Sequence, residues 1–380
     1  MLELSIYSTI AQEVSVGKTL NIHSDVLKED RQYRIALPES YAWATDRRYP
    51  VIYVLDGESQ FLHTSASLKY LAAQREIPEL IVVGIDSTIR IRDYSPTDWS
   101  EVWVGGGGAG AFKKFIATEL LPTIEQKYRT DGFRILSGSS AGGLFAIYCV
   151  TTDHSLFQAY LALTPSLDWD HNWPQRELEK TLKSHKDVNA FLYVARSDDT
   201  GRALEDFEKL VDTLKINSPK QFRWSSRAFP EETHSAVPLL AQIDGIRQVY
   251  QGYRFHSDLV SKGLPYAEKH FDDVSKRVGW RLEIPESVIN EFAYEALSQG
   301  KTEEAITLFK RNVENNSNSA NAYDGLADGL AKAGQWKEAV QASEKALSLA
   351  VQYSHPKQAY FLRQERKMKD RLKQTSGQSK

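Results

Sequence analysis

The segment around Ser140 constrains this chain more than any other. Gly138, Ser139, Ser140, Ala141 and Gly142 form a Gly-x-Ser-x-Gly box, preceded by the apolar run Phe133 to Leu136 and followed by the apolar Leu144 to Val150. The first run has the make-up of a buried strand, the second that of a helix. A chain that passes from strand to helix across one serine must turn sharply, and the flanking glycines let backbone pass close to backbone there. The box therefore demands a sheet in which one strand ends at a tight turn with a hydroxyl at its apex.

Further apolar runs lie at Arg34 to Leu37, Val51 to Leu55, Leu80 to Ile85, Ala159 to Leu163 and Ala190 to Ala195, separated by helical patterns. Such alternation predicts an α/β class with a mostly parallel central sheet flanked by helices. Ahead of the box, Phe112, Phe115, Ile116 and Leu120 share one helical face. The glycine-rich stretch 105–110 before that helix lacks the Gly-Lys-Ser/Thr of a phosphate-cradling loop and is read as a flexible lead-in near the pocket.

From Ile289 onward the pattern is helical only and repeats with a period of 34 residues: Ile289 pairs with Tyr323, Phe292 with Leu326, Ala293 with Ala327, Gly300 with Gly334, and Ala305 with Ala339. This is the tetratricopeptide spacing. Two repeats are fewer than such modules need alone, so the pair is expected to pack on the sheet domain or on another chain. The chain accordingly divides into a sheet domain at 1–253, a helical connector at 254–288, two repeats at 289–353 and a basic C-terminal helix or tail at 354–380.

With 380 residues, 41% of them apolar, the chain can bury a large core and a smaller one. Its net charge of -3 provides no general basic field for nucleic acid. The stretch from Arg363 to Lys380, with seven basic and two acidic residues, is read as a solvated helix end. The single cysteine, Cys149, excludes an intramolecular disulfide and is assigned a small buried role. Met1 to Ile6 carries no basic segment followed by a long apolar one, and no run of about 18 apolar residues occurs. The expectation is a soluble, cytoplasmic protein without a membrane span, or a periplasmic one if the N-terminus was trimmed. No His-Glu-x-x-His or cysteine cluster is present, so no metal and no cofactor are expected.

A serine hydroxyl becomes a nucleophile when a base takes its proton, and on this kind of fold the order is serine, acid, histidine. His154 falls on the helix after the box, His171 and His185 precede the run at Ala190, and His256 and later histidines lie beyond the sheet domain. His234, in the polar loop after the strand-like Phe222 to Phe229, is the base candidate. The acid should follow the run ending at Ala195, where Asp198 is the first choice, Asp199 the second, and Glu205 or Asp206 lie in the next helix. The oxyanion donors are placed at the backbone N–H of Ala141 and in the loop after Leu55, at Glu58 with Gly57 permitting close approach. Asp56 is a further candidate for substrate contact.

With these residues placed, the chain resembles the α/β-hydrolase esterase branch that contains enterochelin esterases, esterase D and mycolyltransferases, and most closely its bacterial members with C-terminal tetratricopeptide repeats. The matching stretches are Tyr49 to Gly57, Arg92 to Pro96, Gly107 to Phe112, Glu119 to Pro122, Gly138 to Leu144, Thr164 to Leu167 and Glu232 to Pro238, with Lys269 to Ser275 and Glu283 to Pro285 in the connector. The resemblance implies carboxylic ester hydrolysis through an acyl-enzyme on Ser140, with His234 as base and then acid. It also implies small-molecule ester substrates, trilactone siderophores among them, and pocket positions at Arg92, Trp169 and Trp173. In this family the acid is the least regular element and some members work with a serine–histidine dyad, and here Ala195 and Arg196 replace the expected small glycine near the end of the acid's strand. The alternative from another class is a partner-binding protein that works through its repeats and carries a secondary or vestigial hydrolase domain; the repeats also allow self-association.

Overall fold

The structure, a computed structural model, describes residues 15–102, 105–185 and 187–377. The segment Met1 to Ile6, on which the expectation about export rests, lies outside them, as does Lys380. An antiparallel hairpin of β1 (Lys18–Ser24) and β2 (Glu29–Ala36) opens the described chain. Next come β3 (Tyr49–Leu55) with α1 (Gly57–Ala73), then β4 (Ile81–Ile85) with the short helices α2 (Arg90–Tyr94), α3 (Ala109–Phe115) and α4 (Leu121–Lys127). Four strand–helix units follow: β5 (Thr130–Ser139) and α5 (Ala141–Thr152), β6 (Ala159–Leu163) and α6 (Trp169–Ser184), β7 (Phe191–Arg196) and α7 (Gly201–Asn217), β8 (Arg223–Ala228) and α8 (Val237–Val249).

The strands make one eight-stranded sheet in the order β1-β2-β4-β3-β5-β6-β7-β8, parallel from β4 to β8 and antiparallel at the β1–β2–β4 end. This is the mostly parallel sheet that the alternating runs imply, in the α/β-hydrolase architecture that the resemblance implies. β3 shows why the centre is buried on both faces: Val51, Tyr53 and Leu55 enter the apolar cluster on one side, Ile52 and Val54 that on the other. A parallel strand covered by helices on both faces needs such an unbroken apolar run. β1 is not anticipated from sequence, because Leu20 and Ile22 are its only large apolar residues.

The parallel connections place every β-to-α turn from β3 onward at one edge of the sheet, the carboxyl edge, where ligand sites of open α/β sheets lie. Ser140, Thr164, Ser197 and the loop holding His234 all sit there, at the ends of β5, β6, β7 and β8.

The chain continues through α9 (Leu264–Val278) into five helices: α10 (Glu286–Ser298), α11 (Thr302–Asn315), α12 (Ala320–Lys332), α13 (Trp336–Gln352) and α14 (Gln358–Gly377). α10 and α12 start 34 residues apart, as do α11 and α13, and Gly300 and Gly334 share the same left-handed φ of 75° at the turns between paired helices. This helical module seats on the opposite, amino edge of the sheet. Asn318 donates to Thr45 Oγ1 (2.7 Å), and Trp43 packs on His355, both partners lying in the loop before β3. Arg75, just past the far end of α1, pairs with Glu291, while Trp280 of the connector donates to Asp131 at the start of β5 (3.2 Å). Val288 and Phe292 of α10 join the same apolar cluster as Ile52, Val54 and Phe271. No helix among the described residues is long and apolar enough to cross a membrane.

Because Phe292 is buried against Phe255 in that shared cluster, module and sheet domain should unfold together. Phe292→Ala is expected to lower the unfolding free energy by about 3 kcal/mol. Chemical denaturation followed by tryptophan fluorescence should show one shifted transition rather than an early transition of the helices alone.

Candidate active site

β5 becomes α5 across Ser140 alone, and the serine takes φ 57° and ψ −116° to do so. That conformation is costly for any residue with a side chain, and the surroundings hold it in place. Ser140 N–H donates to the Leu163 carbonyl of β6 (3.0 Å), while its own carbonyl accepts from Leu144 N (3.0 Å) and Ser166 N (3.1 Å). The glycines divide the steric demand unequally. A Cβ at Gly138 would lie 2.3 Å from the Gly142 carbonyl oxygen, and one at Gly143 would lie 2.9 Å from Pro165 Cα. At Gly142 it would meet only ordinary contacts, from 3.4 Å outward, so the third glycine, not the second of the box, keeps α5 close to the next turn.

Two helix N-termini converge on this elbow. Ala141 opens α5, while Gly57 and Glu58 open α1, so their amides have no intrahelical carbonyl partner. Both helix starts present partial positive charge. The first turn of α5 packs against Leu55 and Asp56: a Cβ on Gly142 would sit 3.4 Å from Leu55 and 3.7 Å from Asp56 Oδ2. The backbone donors proposed from sequence thus begin helices that meet beside Ser140, while the Glu58 carboxylate itself accepts from Ser87 N (3.0 Å) and its hydroxyl.

Asp56 is not a free substrate contact. Its buried carboxylate is held by both arms of Arg90, from Nε (2.8 Å) and Nη2 (3.1 Å). Arg90 Nη2 also donates to the Ser139 carbonyl (2.9 Å), which fastens the turn before α1 to the residue preceding Ser140. Burial pushes the Asp56 carboxyl up from its ordinary pKa and the guanidinium draws it back. Asp56 has a left-handed φ of 54°, and its N–H meets the hydroxyl of the fully buried Tyr94 (3.1 Å).

His234 lies in the exposed loop between β8 and α8, and its Nδ1 is 3.0 Å from Thr164 Oγ1. Thr164, Pro165 and Ser166 form one turn after β6 that touches both ends of the site, because Ser166 Oγ is 3.5 Å from Ser140 Oγ. Beside His234 opens a cavity of about 260 Å³ lined by the Thr164–Ser166 turn, Arg196, Asp199, Arg202, Asp206 and Phe207.

The acid assignment needs correction. Asp198 is exposed, and its backbone N–H is tied to the Glu232 carbonyl (2.9 Å); no side-chain partner joins it among the described residues. After β7 the buried Ser197 turns inward, and Asp198 follows on the outward side. Asp199 lines the cavity and accepts from Ser197 N (3.2 Å). Asp206 lines it too, buried on α7 with Arg202 and Lys209 each 3.6 Å away and Oδ2 lacking a hydrogen bond. None of the three pairs with the His234 ring among the described residues; the Thr164 hydroxyl occupies Nδ1.

The pocket assignments also shift. Arg92 pairs with Glu29 and with the buried Asp93, which in turn holds the buried Arg31 of β2. It is a tie between α2 and the antiparallel hairpin. Trp169 is buried and donates to Thr97 Oγ1 (3.0 Å), stacking edge-on with Trp99, while Trp173 packs on Tyr148; neither lines the cavity beside His234. Gly107 and Gly108 are tied down, through Gly107 N to Ser95 O (3.1 Å) and Gly108 N to Arg92 O (2.9 Å), so this part of the 105–110 stretch is no loose lead-in. Cys149 is fully buried and burial pushes its thiol pKa up, which makes it unreactive. No cluster of metal-ligating side chains occurs among the described residues.

The fold and the elbow define an α/β-hydrolase, and the family and relatives it matches make it a carboxylic ester hydrolase. The Putative esterase family matches residues 24–238, more than half of the chain, and the chain belongs to that family. It is similar to the ferri-bacillibactin esterase BesA of Bacillus subtilis, at 29% identity over 56% of this chain and 83% of that protein. It is also similar to a siderophore enterobactin esterase of Emericella nidulans, at 28% identity over 38% of this chain and 56% of that protein. Among solved structures, an IroE-like serine hydrolase from Shewanella oneidensis superposes with a TM-score of 0.69 at 31% identity, covering 78% of this chain and 99% of that one.

Breaking the Arg90–Asp56 clamp should leave a buried carboxylate unpaired. Arg90→Met is expected to cost roughly 2–3 kcal/mol of stability. Adding Asp56→Asn should restore part of it, a coupling of about 1 kcal/mol or more measurable as a double-mutant cycle of denaturation curves. Additive losses would show that the two groups act separately.

Proposed function

We propose that Ser140 is the nucleophile of a serine esterase and that His234 is its general base, with the amides of Ala141 and of Gly57 or Glu58 receiving the oxyanion. The observation that carries this reading is the strained Ser140 elbow at the carboxyl edge, linked to His234 through a single three-residue turn. His234 takes the Ser140 proton as Oγ attacks the ester carbonyl, then returns it to the departing alcohol; water reverses the sequence to release the acid. Negative charge on the carbonyl oxygen develops where two helix N-termini meet, so fixed N–H dipoles stabilise it.

As substrate we propose an ester of a siderophore, a trilactone in the first instance. Support comes from the relatives whose names specify siderophore esters and from the cavity beside His234, where Arg196 and Arg202 offer cationic walls to an acidic aromatic arm. The 34-residue offset and matching turn glycines of α10 to α13 support reading the module as two tetratricopeptide repeats. Its seat on the amino edge holds it away from the site at the carboxyl edge. The strained elbow and the siderophore-esterase relatives weigh against a vestigial hydrolase.

A fluorophosphonate probe should label the wild type and not Ser140→Ala, and His234→Ala should lower ester turnover by several orders of magnitude. Equal labelling of Ser140→Ala would remove the nucleophile assignment. For the substrate, chromatography should show opening of a trilactone siderophore to linear products, absent with Ser140→Ala. Turnover of simple p-nitrophenyl esters with an untouched trilactone would retain the esterase and discard the siderophore.

A further inference from the structure

We infer that Thr164 is the positioning residue for His234, standing where a serine–histidine–acid triad carries its carboxylate. This rests on the roles proposed above for Ser140 and His234. The distance between Thr164 Oγ1 and His234 Nδ1 is 3.0 Å, and no carboxylate shares the imidazole among the described residues. Thr164 is almost fully buried, so this contact is shielded from water on the threonine side.

The backbone supplies an independent observation. Thr164 has a φ of 41°, a left-handed conformation that a β-branched residue rarely adopts. Its N–H donates to the Ala195 carbonyl of β7 (2.8 Å), which pins the strained residue to the sheet edge. Strain of this kind persists where the surroundings over-determine it, and it concentrates at functional sites. Two residues on, Ser166 binds the Ser140 carbonyl (3.1 Å), and Pro165 lies against Gly143. The same turn therefore sets the positions of the nucleophile and of the base.

The chemistry balances with a neutral hydroxyl. Nδ1–H donates to Thr164 Oγ1, and that choice of tautomer leaves the Nε2 lone pair to accept the Ser140 proton as the Oγ–carbon bond forms. When the ester C–O bond breaks, the proton passes from Nε2 to the leaving alkoxide. Thr164 keeps its own proton throughout, with Ser197 Oγ 3.5 Å away as the neighbouring acceptor. A hydroxyl fixes tautomer and ring orientation but brings no full negative charge to the imidazolium, so its contribution is smaller than that of a triad aspartate.

The test is a variant series assayed for kcat, KM and rate of fluorophosphonate labelling. Thr164→Val removes the hydroxyl while keeping the shape. Thr164→Ala removes it while relaxing the β-branched backbone, which supplies a folded variant should valine fail. Both are expected to lower kcat about ten- to hundredfold, as for one lost hydrogen bond that leaves a partner unsatisfied, with KM within about twofold and labelling slowed in parallel. Thr164→Ser should stay within about threefold of wild type, a rescue that a packing role would not produce. Wild-type kcat in either the valine or the alanine variant, or a serine variant as slow as alanine, would overturn the assignment. So would an Asp206→Asn variant that loses turnover while Thr164→Val keeps it, since Asp206 would then be the missing acid. Ser140→Ala in the same labelling assay reports separately on the nucleophile.

Discussion

Everything at the carboxyl edge depends on one close backbone approach, that of Gly138 to the Gly142 carbonyl, where a Cβ would fall 2.3 Å from oxygen. It allows a strand to become a helix across a single residue and forces that residue, Ser140, into a strained conformation with its side chain at the apex. The parallel sheet then brings the other parts to the same edge. β3 delivers the start of α1, β6 delivers the Thr164–Ser166 turn, and the loop after β8 delivers His234. The cost of the strain is met by the ladder bonds on either side and by the Arg90 clamp, which grips Asp56 and the Ser139 carbonyl together.

The two edges of the sheet have separate uses. The proposed active site lies at the carboxyl edge, while the helical module is fastened to the amino edge through Thr45, Arg75 and Asp131. α1 spans the distance between them, from Gly57 beside the Ser140 elbow to Ala73 beside the module, about 25 Å of helix. The shared apolar cluster containing Phe271 and Phe292 makes the module part of the folded body. Two helical hairpins that could not bury their faces alone are thus stabilised by the sheet domain's flank.

The parallel strands and the repeat were legible because their signals are local and periodic: unbroken apolar runs for β3 to β7, a 34-residue offset for the helices. The hairpin strand β1 was not, because a half-exposed edge strand needs few apolar residues. Ser140 and His234 stand out as candidates by motif and by chain order. The contacts of Arg90 and Thr164 could not be read this way, since each joins distant segments, Arg90 across 49 residues to Ser139 and Thr164 across 70 to His234. Proximity in sequence to the end of β7 favoured Asp198, yet the turn there sends that carboxylate outward. The Thr-Pro-Ser run directly after a core strand was the one available hint for Thr164.

The most direct test of the account is to trap the acyl-enzyme. A slowly deacylating ester or carbamate should add one acyl mass to the protein, and peptide mapping after trypsin should place it on the 135–176 fragment at Ser140. An adduct on any other residue, or full turnover with Ser140 replaced by alanine and no adduct formed, would contradict the account.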